Sequence, residues 1–182
     1  VEKSPSTAFR HYLQAAKAGL VPAMNETGLR YQTGTGVTED VVAAAGWFTL
    51  AAQQSNPSAQ VSLARLYLQG LGVQRNAGTA AQLYNAAAVA GSPDAAYELA
   101  QLLDYGVGGQ RDPVRAHALY AFAADAKSEK AAERRDALAK DLTKDQLTAA
   151  ELFRKGLPKT EAPAEKPAEK PKADAQNTKA DA

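Results

Sequence analysis

The sequence predicts an all-α protein, a solenoid of helix-turn-helix repeats of 36 residues with a disordered C-terminal tail. Three observations carry that expectation. Alanine is abundant while β-branched residues are sparse and aromatic residues reach only 7%, which favours helix over sheet. Three segments stand in register without a gap: "AMNETGLRYQTGTGVTEDVVAAAGWFTLAAQQSNPS" from Ala23, "AQVSLARLYLQGLGVQRNAGTAAQLYNAAAVAGSPD" from Ala59 and "AAYELAQLLDYGVGGQRDPVRAHALYAFAADAKSEK" from Ala95, one unit every 36 residues. From Pro158 the composition changes to "PKTEAPAEKPAEKPKADAQNTKADA", which holds no large apolar residue.

The chain opens with half a unit. Shifted back by one repeat, Ala8 falls on the Ala44 slot, His11 on the Trp47 slot, and Ala15 and Ala16 on the paired-alanine slot. Residues 5–18 therefore read as a second helix, with Ser4 as N-cap, Pro5 at the first helical position and Gly19 after the end. A partial unit is thus expected over 4–22, followed by units 23–58, 59–94 and 95–130.

Within each unit the aligned columns agree in chemistry. Gly28, Ala64 and Ala100 would let two helices approach closely, and Tyr31, Tyr67 and Leu103 fill a large apolar slot. Asp40, Asn76 and Asp112 are suited to capping the second helix. Trp47, Leu83 and Leu119 follow by three residues the small Ala44, Ala80 and Ala116. Asn56-Pro57, Ser92-Pro93 and Asp112-Pro113 give cap-then-proline helix starts.

The stretch "LYLQGLGVQRN", residues 66–76, resembles at first a loop that holds a phosphate. Its Gly-x-Gly, however, occurs three times, as Gly34 and Gly36, Gly70 and Gly72, Gly106 and Gly108. A phosphate-binding fingerprint follows a strand and occurs once, and neither the Walker lysine nor the third dinucleotide glycine is present. The first glycine is expected to end a helix in the left-handed conformation and the second to allow a tight turn.

After the third unit, "AAERRDALAKDL" from Ala131 and "TKDQLTAAELFRKG" from Thr143 read as closing helices over 131–156, the second opened by a capping box of Thr143 with Gln146. The solenoid is thus placed at 1–157. The tail, 158–182, balances five lysines against five acids and is expected to be disordered. Stretched out, it could reach about 75 Å, as a solubilising segment or a tether.

The repeated Ala-x-x-x-Leu-Gly-x-x-Tyr, Gly-x-Gly-Val, Asp, Ala-x-x-Trp and Ala-Ala pattern resembles the Sel-one-like repeat family, bacterial α-solenoid relatives of tetratricopeptide repeats. Departures are Thr27 for leucine, Gly109 for the valine kept as Val37 and Val73, and a tryptophan retained only at Trp47. The resemblance implies a right-handed solenoid and a protein- or peptide-binding groove on its concave side. Some cysteine-rich relatives have been described as β-lactam-binding or hydrolysing, but this chain has no cysteine and cannot carry that chemistry over.

The absence of cysteine also excludes disulfides, zinc–thiolate sites and thiol nucleophiles. A formal net charge of +1 argues against nucleic acid as a partner. His11 is expected as a half-exposed packing residue and His117 on the outer surface, and neither has a partner at metal-ligand spacing. No serine sits in a nucleophile-elbow context. No catalytic residue, cofactor or metal site is expected, and the chain reads as non-enzymatic.

If the first helix of each unit lines the groove, periodicity places Leu29, Arg65, Leu68, Tyr97, Gln101 and Asp104 along the partner-binding face. Tyr97 is read as an exposed tyrosine, so that Arg65→Ala with Tyr97→Ala should leave the fold almost unchanged. The expected function is an adaptor that holds another protein or peptide within a larger bacterial envelope assembly. The alternative is a cell-wall module that binds or processes peptidoglycan or β-lactam-like ligands. The start at Val1, with no apolar run long enough for a signal peptide or membrane span, leads to the expectation of export with a signal removed, or of a trimmed start. The periplasm is the expected compartment and the cytoplasm the alternative.

Overall fold

A computed structural model of the chain describes residues 4–158. Among these residues there are nine helices and no strand: α1 Pro5–Lys17, α2 Val21–Thr33, α3 Val41–Gln53, α4 Pro57–Gln69, α5 Ala77–Val89, α6 Pro93–Tyr105, α7 Pro113–Asp125, α8 Glu129–Ala139 and α9 Lys144–Gly156. The first helices α2, α4 and α6 and the second helices α3, α5 and α7 each run 13 residues. The expected tail lies outside the described residues except for Pro158.

Helix starts follow the cap chemistry. Asp40 accepts from the Val42 and Ala43 N–H groups, Asn76 from Thr79 and Asp112 from Arg115. Asn56, Ser92 and Ser128 cap the first-type helices α4, α6 and α8 in the same way, and Thr143 and Gln146 form the full capping box of α9. Ser4 departs from the expected role: its hydroxyl bonds to that of Ser6 and caps no backbone N–H.

Helix ends explain the repeated glycines. Gly34, Gly70 and Gly106 sit in the left-handed region at φ 68°, 73° and 68° and close α2, α4 and α6. The second glycine does more than tighten the turn. A methyl group on Gly108 would lie 2.8 Å from Ala77 Cβ, and on Gly36 and Gly72 it would meet the Pro5 and Val41 carbonyls. These are the first residues of α5, α1 and α3, so each loop of one unit rests on the start of the previous unit's second helix. Only glycine leaves room for that approach.

The loop arginines are consumed locally. Arg75 Nε donates to the Leu68 carbonyl at 3.1 Å, and Arg111 Nε donates to the Asp104 carbonyl at 2.7 Å. Each satisfies an orphan carbonyl at the end of its first helix. The basic residue of "LGVQRN" is therefore a helix cap.

The core is built from small residues around one aromatic per unit. Phe48, Tyr84 and Tyr120, 36 residues apart, are fully buried. Gly28 presses on Phe48 so closely that an added Cβ would stand 2.6 Å from the ring. Two clusters form, one around Phe48 and one around Tyr84 and Tyr120, and Tyr67 and Leu83 pack against both. Thr27 is buried where the repeat favours leucine, and its hydroxyl donates to the Ala23 carbonyl at 2.7 Å.

The stack is closed by α8 and α9. Ala131, Leu138 and Ala150 are buried, and the Arg154 guanidinium lies over the Phe122 ring at 4.9 Å while Nε donates to Asp125 at 3.0 Å. Helix α9 thus folds back onto α7.

Candidate functional site

The first helices do bring a polar cleft together. Between α4, α6 and the start of α8 lies a cleft of about 310 Å³, into which Arg65, Asp94, Tyr97, Glu98, Ser128 and Lys130 project. Asp94, Tyr97 and Glu98 share one face of α6 because they are spaced i, i+3 and i+4. Arg65 comes from the neighbouring first helix, and its Nη2 donates to Glu98 Oε1 at 3.2 Å across the unit boundary.

The electrostatics follow from that pair. Partial burial works against the Arg65 charge, but the hydrogen bond and negative charge of Glu98 outweigh it and raise the guanidinium above its ordinary range. Tyr84 is pushed up to about 12, first by burial and then by Glu98, with Arg65 pulling the other way. It is a neutral phenol at physiological pH, and its hydroxyl has no hydrogen-bond partner among the described protein groups. Cleft chemistry is therefore mixed: a cation and an anion already paired, with Asp94 and Lys130 as further charges at its rim.

Tyr97 is not the exposed tyrosine that periodicity suggests. It is half-buried, its ring centroid 5.7 Å from that of Tyr120 with the planes tilted by 59°, and its hydroxyl accepts from Gln101 Nε2 at 3.2 Å. One edge faces the cleft and the rest packs on the second helix of the same unit. The reason is the aromatic column: Tyr120 rises far enough between the helices to meet residue 97.

Of the six residues expected on the partner face, Arg65 and Tyr97 line the cleft, and Gln101 sits one turn along, holding the Tyr97 hydroxyl. Leu29 and Leu68 are half-buried and pack against the two core clusters. Asp104 is paired with Arg111 at 3.2 Å and lies with the helix end. Sequence reasoning missed Asp94, Glu98, Ser128 and Lys130. Glu98 could have been found, since it stands 33 residues after Arg65, which is one repeat less about one helical turn.

The histidines differ from expectation. His11 is exposed on α1. His117 is not on the outer surface but half-buried beside a gap of about 170 Å³ between α7 and α9, with Ala150, Glu151, Arg154 and Lys155 opposite. Burial lowers its pKa, Arg135 lowers it further, and Asp136 and Glu151 oppose. Its Nδ1 is buried with no hydrogen-bond partner among the described protein groups. The cause is α9, which covers a face of α7 that would be open in an uncapped repeat.

Among the described residues no three His, Asp or Glu side chains gather where they could hold a metal ion, and no helix is long and apolar enough to cross a membrane.

A family model described as the Sel1 repeat matches residues 1–20, 21–56, 57–92 and 93–128. Among solved structures, the chain is similar to a Sel1 repeat protein from Oxalobacter formigenes, with 34% identity and a TM-score of 0.68 over 72% of this chain and 54% of that one. It is also similar to a protective antigen present in uropathogenic Escherichia coli strains and displaying an SLR fold, with 26% identity and a TM-score of 0.61 over 85% of this chain and 41% of that one. The chain thus spans about half the length of the first and less of the second. Nothing among the curated proteins matches it.

Proposed function

The chain belongs to the Sel1 repeat family, and from that premise we propose that it is a non-enzymatic adaptor whose first-helix face holds a protein or peptide in a bacterial envelope assembly. Sel1-repeat proteins are generally protein-interaction scaffolds. The observation that carries the finer reading is the cleft spanning α4, α6 and α8, in which the Arg65–Glu98 pair and the Tyr97 edge sit together. Arginine and tyrosine combine stacking with hydrogen bonding, and both are enriched where binding energy concentrates.

The mechanism is passive. Three neighbouring first helices fix the cleft in place, so little conformational entropy is lost when a partner docks. The Arg65–Glu98 pair can open towards a partner carboxylate or amide at small cost, because a part-exposed ion pair contributes only about 0–1 kcal/mol.

The test is affinity capture from native envelope extracts with the full chain and with an Arg65→Ala, Tyr97→Phe variant. This pair keeps the Tyr97 ring in its core contact. A protein held by the parent and released by the folded variant is the expected result. Capture undiminished in the variant would remove the cleft from the mechanism. Sedimentation with peptidoglycan, and no protein partner, would favour the cell-wall reading.

A further inference from the structure

The cleft between α4, α6 and α8 holds two sets of opposite charges. Arg65 and Glu98 are paired at 3.2 Å. Asp94 and Lys130, both exposed at the same cleft, form no ion pair among the described residues. An anion and a cation thus face solvent beside the half-buried Tyr97. A segment that complements this surface offers both signs at close spacing, with apolar contact between them.

The chain itself carries that pattern. Residues 163–172 read PAEKPAEKPK, with two acid–base doublets, Glu165-Lys166 and Glu169-Lys170, set between prolines. Two doublets match two charge sets, acid to Lys130 and Arg65, base to Asp94 and Glu98. Proline at every fourth position adds a ring suited to the Tyr97 edge. Its fixed φ also lowers the entropy lost when such a segment is ordered.

The end of α9 is tied to the cleft wall. Arg154, in the last turn of α9, donates to Asp125 at 3.0 Å, and Asp125 ends α7 one residue before Ala126, which lines the cleft. Pro158 follows Arg154 by four residues, at most about 14 Å of chain. From Pro158, extended chain at roughly 3.1 Å per residue brings Glu165 out to about 22 Å and Glu169 to about 34 Å. One ion pair and a short stretch of chain lie well within that reach. A tether of this length gives an effective concentration on the order of 1 mM, so a contact with a Kd of about 0.1 mM keeps the cleft mostly filled.

We propose that residues 163–172 of the tail dock in cis in the α4–α6–α8 cleft, with their glutamates on Lys130 and Arg65 and their lysines on Asp94 and Glu98. The tail is then an internal competitor, and an outside partner enters the cleft only by displacing it. That consequence rests on the adaptor reading of the cleft; the contact itself does not.

The absence of cysteine makes a single-site label possible. Ala168→Cys in the full chain takes one nitroxide, and NMR reads which amides it broadens. Broadening at Asp94, Tyr97 and Lys130 is expected, with none on α1 or α2. Neutralising the doublets with Glu165→Gln, Lys166→Gln, Glu169→Gln and Lys170→Gln changes no residue of the solenoid and should abolish it. A fluorescein-labelled PAEKPAEKPK peptide, followed by anisotropy, should bind the neutralised chain about tenfold more tightly than the parent, whose own tail competes. Cleft amides that stay sharp, or broadening and peptide affinity indifferent to the four changes, overturn the proposal. The rival occupant is read from a mixture of spin-labelled chain and isotope-labelled chain without the cysteine. Broadening in that mixture would assign the cleft to the tail of a second copy and overturn docking in cis. A failure to capture any protein from envelope extracts leaves these readouts unmoved, because no outside partner enters them.

Discussion

Arg65 on α4 and Glu98 on α6 meet at 3.2 Å across the boundary between two repeats, with Tyr97 half-buried beside them against Tyr120. The two members of the cleft should therefore behave differently when removed. Arg65→Ala breaks a pair whose side chains are 51% and 29% exposed and should change stability by less than about 1 kcal/mol. Tyr97→Ala strips a ring from a tilted aromatic pair and should cost about 2 kcal/mol. Urea denaturation of the two single variants checks this. Equal, negligible shifts would mean that Tyr97 is only a surface residue, as periodicity alone suggests.

Three glycines with positive φ predict a graded series in which the second glycine of a loop is the most sensitive. Gly91→Ala forces an alanine to φ 94° but meets nothing within 4 Å. Gly70→Ala adds only a close contact with Arg75 Cβ at 3.3 Å. Gly72→Ala drives a methyl into the Val41 backbone carbonyl, which a helix start cannot easily move. The left-handed strain of about 1–2 kcal/mol is common to the series, so Gly72→Ala should be the most destabilising and should loosen the contact between neighbouring units. Hydrogen exchange at the start of α3 is the local readout, and unchanged protection there would contradict the stacking role.

Much of this was legible because a repeat shows each position several times. Asp40, Asn76 and Asp112 announce their caps, and Gly34, Gly70 and Gly106 their helix ends, from local chemistry alone. What failed was what spacing along the chain does not encode. The second glycine's partner lies in the previous unit, and the burial of Tyr97 depends on Tyr120, 23 residues on in another helix. The aromatic column of Tyr12, Phe48, Tyr84 and Tyr120 stands in the sequence one residue after the more conspicuous Trp47 column. Ser4 looked like a cap by residue type, but its hydroxyl chose Ser6. His117 was misplaced because nothing in its own repeat indicates that α9 returns to cover it.

Gly28 offers a test of the core that uses the repeat as its own control. At the matching column Ala64 and Ala100 carry the methyl group that Gly28 lacks, opposite Tyr84 and Tyr120. Opposite Phe48, the added Cβ would stand 2.6 Å from the ring edge. Gly28→Ala should therefore cost about 1–3 kcal/mol through overpacking, despite alanine's better helix propensity. Phe48→Leu should recover part of that loss in the double variant, measured as a non-additive coupling in urea. Strict additivity would show that the two sites do not press on each other.

His117 gives the closing helix a pH dependence whose sign is fixed by its surroundings. Burial against α9, with Arg135 adding to it and Asp136 and Glu151 opposing, holds its folded pKa below the unfolded value of about 6.5. The unfolded chain therefore binds more protons as the pH drops through that value. Stability from a neutral His117 is complete above about pH 6.5 and is lost progressively as pH falls towards the folded pKa. His117→Gln keeps a polar group of similar reach and cannot titrate. The gap in unfolding free energy between parent and variant should thus move in favour of the variant between about pH 7.5 and pH 5. Because Arg154 and Lys155 of α9 also face the site, protonation adds a third cation to that side, and amide exchange in α9 should quicken before that in α5. A gap that stays constant with pH would show that the imidazole remains solvated in the folded chain and that α9 is held by the Arg154–Asp125 pair and its apolar contacts alone.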